Sequence, residues 1–168
     1  MRGVAVSVMW SLVATMPVEA EPDPGMETLT LALGAVREND FEAAARHFET
    51  ACGYQVHVAC AYLAPLYRYG RGVGQDVDLA SDYYRQACRG GVAVSCHEGG
   101  VLLVETQANS GAAAVEYQHG CDGGYYPSCA FLADLYAAGE GVERDEERAA
   151  QLYEQACAGG FEDACEPR

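Results

Sequence analysis

A chain of 168 residues is long enough for one domain or one short array of repeats with a real core. Half of its residues are hydrophobic, a share typical of globular rather than disordered proteins. The formal net charge of −15 argues against nucleic acid or an anionic membrane surface as a partner, because like charges repel.

The first predicted element is a cleavable signal peptide at residues 1–20. Arg2 supplies positive charge, GVAVSVMWSLVATM (3–16) is an apolar run, and VEA (18–20) offers the small residues that a signal peptidase reads. The run is shorter than the roughly 20 residues that span a bilayer. The alternative is a buried first helix, which EPDPG (21–25) would end at once. We expect residues 21–25 to be a linker, the protein to be periplasmic or secreted, and no membrane insertion after cleavage.

The eight cysteines fall into four pairs of spacing C-x7-C, an even number that suits disulfides in an oxidising compartment. Corresponding cysteines recur after 36, 33 and 36 residues, a period found in helical solenoids. A zinc site favours C-x2–4-C pairs that converge on one ion, and a redox centre favours C-x-x-C, which this chain lacks. A tight turn between two helices brings each pair within disulfide reach. The predicted disulfides are Cys52–Cys60, Cys88–Cys96, Cys121–Cys129 and Cys157–Cys165.

The sequence between the cysteines repeats as well. YLAPLYRYGRGVGQDVDLASDYYRQAC (62–88) aligns with FLADLYAAGEGVERDEERAAQLYEQAC (131–157) without a gap. Each unit is predicted to be two helices around a G-x-G-V-x-x-D loop, whose Asp76 or Asp145 caps the second helix. The first and third units lack this loop. We expect an all-α domain over residues 26–168, with units at about 26–59, 60–95, 96–128 and 129–165.

The pattern L-[AG]-x-L-Y-x-x-G-x-G-V-x-x-D-x4-A-x3-Y-x2-A-C resembles the Sel1-like repeat family, relatives of the tetratricopeptide repeat. With its C-x7-C pairs, the chain is similar to the secreted, cysteine-rich, Hcp-like branch. The resemblance implies a right-handed α/α superhelix, a solenoid of about four disulfide-bridged helix–turn–helix repeats. Members of this branch are often described as penicillin-binding proteins or β-lactamases, and Sel1-like repeats more generally serve as adaptors that bind proteins.

The residues themselves offer no catalytic or metal motif. All ten basic residues are arginine, so the S-x-x-K and K-T-G motifs of serine β-lactamases cannot exist here. The four histidines, His47, His57, His97 and His119, show neither H-x-H nor H-E-x-x-H spacing. We predict no catalytic residue, no metal and no cofactor. If the chain is an enzyme, the resemblance implies a β-lactam hydrolase.

A binding surface is predicted on the first helix of each unit, on the face opposite its apolar stripe. The candidate groove residues are Arg68, Tyr69, His97, Glu105 and Asp134. The alternative is that this face is merely exposed. We expect a basic or neutral protein or peptide as the partner, with β-lactams or peptidoglycan fragments as the alternative ligands. Some relatives assemble redox complexes in oxidising compartments, which is a third possibility.

Overall fold

The computed structural model describes residues 23–106 and 109–166, so the predicted signal peptide lies outside the described residues. Within these ranges the chain is all-helical, as predicted, with eight α-helices, one 3-10 turn and no strand. None of the described helices has the length and apolarity needed to cross a membrane. The elements are α1 Pro24–Arg37, α2 Phe41–Gly53, α3 His57–Tyr69, α4 Val77–Arg89, α5 Ala93–Glu105, α6 Ser110–Asp122, α7 Tyr126–Ala138, α8 Glu146–Ala158 and the 3-10 turn η1 Glu162–Ala164.

Helix α1 begins inside the predicted linker 21–25. The Asp23 carboxylate accepts a hydrogen bond from the Gly25 backbone N–H at 2.8 Å and so caps the helix. Pro24 occupies the first helical position, where its missing N–H costs nothing. Gly25 is buried, and a Cβ there would lie 2.7 Å from Val56. Pro24 therefore begins a helix, whereas the sequence analysis expects EPDPG (21–25) to end one.

The helices pack in chain order as four hairpins, α1–α2, α3–α4, α5–α6 and α7–α8. The second helix of each hairpin also packs against the element that follows it, which produces a helical solenoid. All four predicted disulfides are present, with Cα–Cα distances of 4.7–4.9 Å. Each joins the end of one hairpin to the start of the next element, so the cross-links lie between repeats.

The G-x-G loops are held by close contact with the preceding hairpin. Gly72 and Gly141 both have positive φ, 74° and 72°. A Cβ on Gly72 would clash with the Phe41 backbone, at the start of α2. Asp76 and Asp145 then cap α4 and α8, each accepting a backbone N–H bond at 2.9 Å. The loop motif therefore serves both repeat-to-repeat packing and helix initiation.

The buried apolar residues form three clusters along the array. An N-terminal core around Phe48 and Leu63 fills α1–α3, and a C-terminal core around Tyr117 and Leu152 fills α6–α8. A smaller middle cluster joins them across α3, α4 and α5. It consists of Ala64, Ala80, Tyr84 and Leu102.

Candidate functional site

A groove of about 440 Å³ runs along the surface between α3 and α5. Its lining is mostly apolar and aromatic, which is typical of a ligand or peptide site. Tyr62 and Tyr69 are 49% and 62% exposed and project from α3 beside the groove. The lining residues are Val58, Ala61, Tyr62, Pro65, Tyr69, Tyr84, Val92, Val94, Ser95 and Glu98.

The groove is built on rigid elements. The Tyr62 ring stacks on the buried Phe48 ring, with centroids 5.4 Å apart. This contact anchors Tyr62 to the N-terminal core. Tyr84 is buried in the middle cluster and reaches the groove from α4. Burial and the nearby Glu98 charge raise the pKa of Tyr84 to about 12. The groove therefore presents fixed aromatic surface with few polar groups.

Arg68 lies beside the groove and forms an ion pair with two carboxylates of the next hairpin. Its guanidinium donates to Glu98 at 3.1 Å and to Glu105 at 2.6 Å. The Arg68 side chain is only 10% exposed. Burial lowers its pKa, but the hydrogen bond with Tyr84 and the charge of Glu105 outweigh burial, so the pKa of Arg68 is raised. Two of the predicted groove residues, Arg68 and Glu105, thus bind each other and join α3 to α5.

His97 is placed differently from the sequence prediction. Its ring is buried between α6 and α7, against Tyr117, Tyr125 and Phe131, with centroids 4.9–5.6 Å away. Its Nδ1 lies 3.2 Å from the Ser128 hydroxyl. Burial lowers the pKa of His97 because the charged imidazolium loses its hydration. The predicted groove position of His97 is therefore a packing position between the third and fourth hairpins.

The remaining predicted residues lie apart from each other. Tyr69 is exposed and lines the groove. Asp134 is exposed on α7 and accepts a short hydrogen bond from the Tyr153 hydroxyl of α8. The structure thus brings Arg68, Tyr69 and Glu105 together, but of the five predicted residues Tyr69 alone lines the groove between α3 and α5.

Sequence reasoning missed Tyr62, Val58 and Val94, which line the groove. The repeat alignment carries a signal for the first of them. The residue two positions after the second cysteine of a pair is large in the three first helices that contain such a cysteine, as Tyr62, Glu98 and Phe131. At Tyr62 and Phe131 this position carries an aromatic ring that packs on the preceding hairpin and stays partly exposed.

One grouping in the described residues has the composition of a metal site. The side-chain ligand atoms of Cys88, Glu116 and His119 lie within 4.8 Å of one another. However, Cys88 is bonded to Cys96, so its sulfur cannot be a thiolate ligand. Burial raises the pKa of Glu116, which further disfavours the charged carboxylate that a cation needs. The grouping is better explained as packing around the second disulfide.

The Sel1 repeat family model matches residues 57–92 and 127–161. Cytochrome c oxidase assembly factor 7 of Xenopus tropicalis is 31% identical over 159 residues, which cover 88% of this chain and 68% of that protein. Beta-lactamase HcpA of Helicobacter pylori is 38% identical over 64 residues, which cover 38% of this chain and only 25% of that protein.

Two solved structures show the same fold. A Sel1 repeat protein from Oxalobacter formigenes superimposes with a TM-score of 0.72 at 20% identity, over 81% of this chain and 57% of that one. The protective antigen c5321 of uropathogenic Escherichia coli, which displays an SLR fold, gives a TM-score of 0.73 at 22% identity, over 83% of this chain and 32% of that one. The chain thus spans a part of each of these larger solenoids.

Proposed function

The chain belongs to the cysteine-rich part of the Sel1-repeat family, and from this we propose that it is an exported scaffold that binds an extended protein segment without catalysing a reaction. The binding surface is the groove between α3 and α5. The observation that carries this proposal is the pair of exposed tyrosines, Tyr62 and Tyr69, on a backbone cross-linked between hairpins. Tyrosine supplies a large contact area at a low cost in conformational entropy.

The partner segment is neutral or basic, with apolar or aromatic side chains. Glu98 is the carboxylate that lines the groove, and the net charge of −15 repels acidic segments at long range. Glu98 is paired with Arg68, so its charge is partly neutralised. We therefore expect the apolar lining to provide the affinity for the segment, and the negative field of the whole protein to select against acidic segments. For a basic segment, the association rate is therefore expected to fall as salt is added.

The test is a displayed peptide library selected on the purified protein, followed by calorimetry on the recovered peptides. We expect Tyr69→Ala and Tyr62→Ala to weaken binding about tenfold or more, as is typical of aromatic residues at the centre of an interface. Tyr54→Ala is the matched control, since Tyr54 is 56% exposed but does not line the groove. Arg68→Ala is unsuitable as a binding probe because it also removes the ion pair to α5. Equal losses from Tyr54→Ala and Tyr69→Ala would contradict the proposal.

Export is the part of the proposal that concerns residues 1–20. The apolar run and the small residues before Glu21 support cleavage after Ala20. The test is N-terminal sequencing of the protein recovered from the periplasm or medium of an expressing bacterium. A mature chain that begins at Glu21 is expected, and a protein retained in the cytoplasm with Met1 intact would contradict export.

The second candidate function is β-lactam hydrolysis, and the observation that favours it is the similarity to beta-lactamase HcpA. Among the described serines, Ser128 has a histidine partner, His97, but both side chains are buried, so no substrate carbonyl can approach them. A nitrocefin assay on purified protein tests this candidate. Steady turnover that one groove substitution abolishes would favour hydrolysis over the scaffold.

The third candidate is a role in assembling a redox complex, favoured by the similarity to cytochrome c oxidase assembly factor 7 over most of this chain. Such a role is a special case of protein binding, and the groove would then hold a subunit of that complex. An absorbance scan for haem retained through purification tests this candidate. A stoichiometric haem band would favour it, and its absence would leave the peptide scaffold as the better account.

A further inference from the structure

The exposed aromatic side chains of the groove form a row with a fixed spacing. Tyr62 and Tyr69 are seven residues apart on α3, so they project in nearly the same direction from positions two helical turns apart. At the rise of an α-helix, this separation is about 10.5 Å along the helix axis. Pro65 lies between them in the sequence and also lines the groove. A chain that lies along α3 therefore meets one ring, a smaller apolar surface and a second ring.

Helix α5 carries an acidic row with the same spacing. Glu98 and Glu105 are also seven residues apart. Glu98 lines the groove, and Glu105 lines an adjoining pocket of about 360 Å³ that shares Tyr69 with the groove. Arg68 donates to one oxygen of each carboxylate, so one guanidinium serves two partly exposed carboxylates and leaves one net negative charge. This row complements a cationic side chain on a bound segment.

The spacing of the tyrosines distinguishes between the backbone conformations of a bound segment. In a β-strand, the residues on one face recur about every 6.8 Å. In a polyproline II helix, every third residue returns to the same face after about 9.3 Å. The separation of about 10.5 Å between Tyr62 and Tyr69 is close to one polyproline II turn, whereas it differs by about 3 Å or more from one or two strand repeats. Successive polyproline II turns therefore fit beside the two rings.

Hydrogen bonding favours the same conformation. A polyproline II backbone makes no internal hydrogen bonds, so its carbonyls accept from the surface that binds it. The Tyr62 and Tyr69 side chains are 49% and 62% exposed, and a phenolic hydroxyl is a hydrogen-bond donor. An α-helix can also place side chains beside both rings, but its carbonyls are bonded within the helix and gain little from these donors. Aromatic-lined grooves are a general means of recognising proline-rich segments.

We propose that the groove between α3 and α5 recognises a proline-rich segment in the polyproline II conformation that carries an arginine or lysine. Prolines of successive turns pack against Tyr62 and Tyr69, and the basic side chain pairs with the acidic row formed by Glu98 and Glu105. Proline is apolar and fixes its backbone before binding, so less conformational entropy is lost on association. This inference rests on the proposed function, because it names the class of segment that the groove holds.

The test selects two displayed libraries of dodecapeptides on the oxidised full chain at low ionic strength. One library fixes proline at two positions, i and i+3, and the other fixes alanine there, with all remaining positions random but free of proline. Clones count only if Tyr69→Ala abolishes their binding and the control Tyr54→Ala, which alters an exposed tyrosine outside the groove, does not. We expect such clones to come from the proline library about tenfold more often, and to be enriched in arginine or lysine.

Calorimetry on a recovered peptide separates the two parts of the recognition. Replacing both fixed prolines by alanine should weaken binding about tenfold, because the peptide is no longer held in its bound conformation. Replacing its basic residue by glutamine should weaken binding several-fold, by a factor that falls as salt is added. The protein variant Glu98→Gln/Glu105→Gln should lose the preference for the basic residue and keep the preference for proline. If this variant does not fold, the glutamine peptide on the wild type still measures the contribution of charge.

Three results would overturn the inference. Equal recovery of Tyr69-dependent clones from both libraries, or greater recovery from the alanine library, would show that the groove binds segments of another conformation, and the proposed function would stand. Equal affinity of the basic and glutamine peptides would remove the role of the acidic row. A lack of Tyr69-dependent clones from either library would contradict this inference and the proposed function together.

Discussion

Arg68 shows how a single residue can join two repeats. Its guanidinium is nearly buried while its partners Glu98 and Glu105 remain 38% and 55% exposed. Solvent therefore screens the pair in part, and its contribution is smaller than that of a fully buried ion pair. Removing the arginine would also leave two carboxylates on α5, Glu98 and Glu105, without their shared cationic partner.

We expect Arg68→Ala to lower the free energy of unfolding by about 2 kcal/mol, because it removes two charge-assisted bonds and leaves like charges together. Arg46→Ala is the matched control, since Arg46 pairs with Glu42 in an exposed i,i+4 bridge. That change should cost no more than about 0.5 kcal/mol. Urea unfolding with the disulfides intact measures both losses, and equal losses would show that Arg68 has no special role.

His97 gives the protein a dependence on pH. Because burial lowers its pKa in the folded chain, the unfolded chain binds the proton more readily, at the ordinary imidazole pKa of 6.5. The contribution of the neutral His97 side chain to the free energy of unfolding is therefore fully present above pH 6.5. It declines as the pH falls from 6.5 toward the lower pKa of His97 in the folded chain. Tyr117 is in ring contact with His97, and burial raises the pKa of Tyr117 to about 12, far above this range.

We expect the stability difference between wild type and His97→Phe to shift in favour of the variant as the pH is lowered from about 7.5 to about 5. Urea unfolding midpoints at several pH values measure the stability of each protein. Taking the difference between wild type and His97→Phe cancels the carboxylate titrations that both proteins share. His119→Gln is the control, since His119 is exposed on α6. A constant difference between wild type and His97→Phe over this range would contradict the buried, neutral state of the imidazole.

The helices themselves lie where the sequence predicts, but the open face of the first helices is rotated from its predicted position. Sequence reasoning places Arg68 and His97 opposite the apolar stripe, which assumes that each helix has only hairpin neighbours. At about 100° per residue, these two positions lie on one flank, and Tyr62, Pro65 and Tyr69 form the centre of the open face. The flank is covered by the next hairpin, through Glu105 in one case and Phe131 in the other.

The cysteine pairs, the repeat period and the capping aspartates could all be predicted, since each depends on local chemistry at fixed spacing. The burial of His97 could not, because it arises from side chains of α6 and α7 that are distant in sequence. The start of α1 was also missed. Whether Asp23 and Pro24 end a segment or begin a helix is settled by the packing of Gly25 against Val56.

The G-x-G loop permits a prediction with a control in the same loop. Gly72 has φ of 74° and its Cβ position lies against the Phe41 backbone, so Gly72→Ala should cost about 2 kcal/mol or more. Gly74 has open space around its Cβ position, so Gly74→Ala should change stability by less than about 0.5 kcal/mol. Thermal and urea unfolding measure the two changes. Unchanged stability of Gly72→Ala would mean that the close contact between this loop and the Phe41 backbone does not hold the preceding hairpin in place.

Along the whole array, two larger cores are joined through the smaller middle cluster. The middle cluster, the Arg68–Glu105 ion pair and the Cys88–Cys96 disulfide all connect α3–α4 to α5. In a solenoid each repeat contacts its neighbours alone, so cooperativity depends on such boundaries. The exposed groove runs across this same boundary, which makes its rigidity relevant to binding.

We expect Cys88→Ser/Cys96→Ser to separate unfolding into two transitions, because the cross-link that fixes α4 to α5 between the two cores is lost while the backbone connection remains. Cys121→Ser/Cys129→Ser should lower stability while keeping one transition, since that disulfide lies within the C-terminal core. Each lost disulfide should cost about 2.5 kcal/mol from the loop entropy that its short ring removes from the unfolded chain. Calorimetry distinguishes one transition from two, and a single transition in both variants would contradict the two-core description.

The groove between α3 and α5 is the surface that we propose for binding an extended protein segment. Hydrogen–deuterium exchange on the protein with and without a library-selected peptide is the decisive measurement, since it reports contact along the whole array. We expect added protection over α3 and α5 and none over α7, together with loss of that protection in Tyr69→Ala. Protection confined to α7 and α8, or unchanged by Tyr69→Ala, would contradict it.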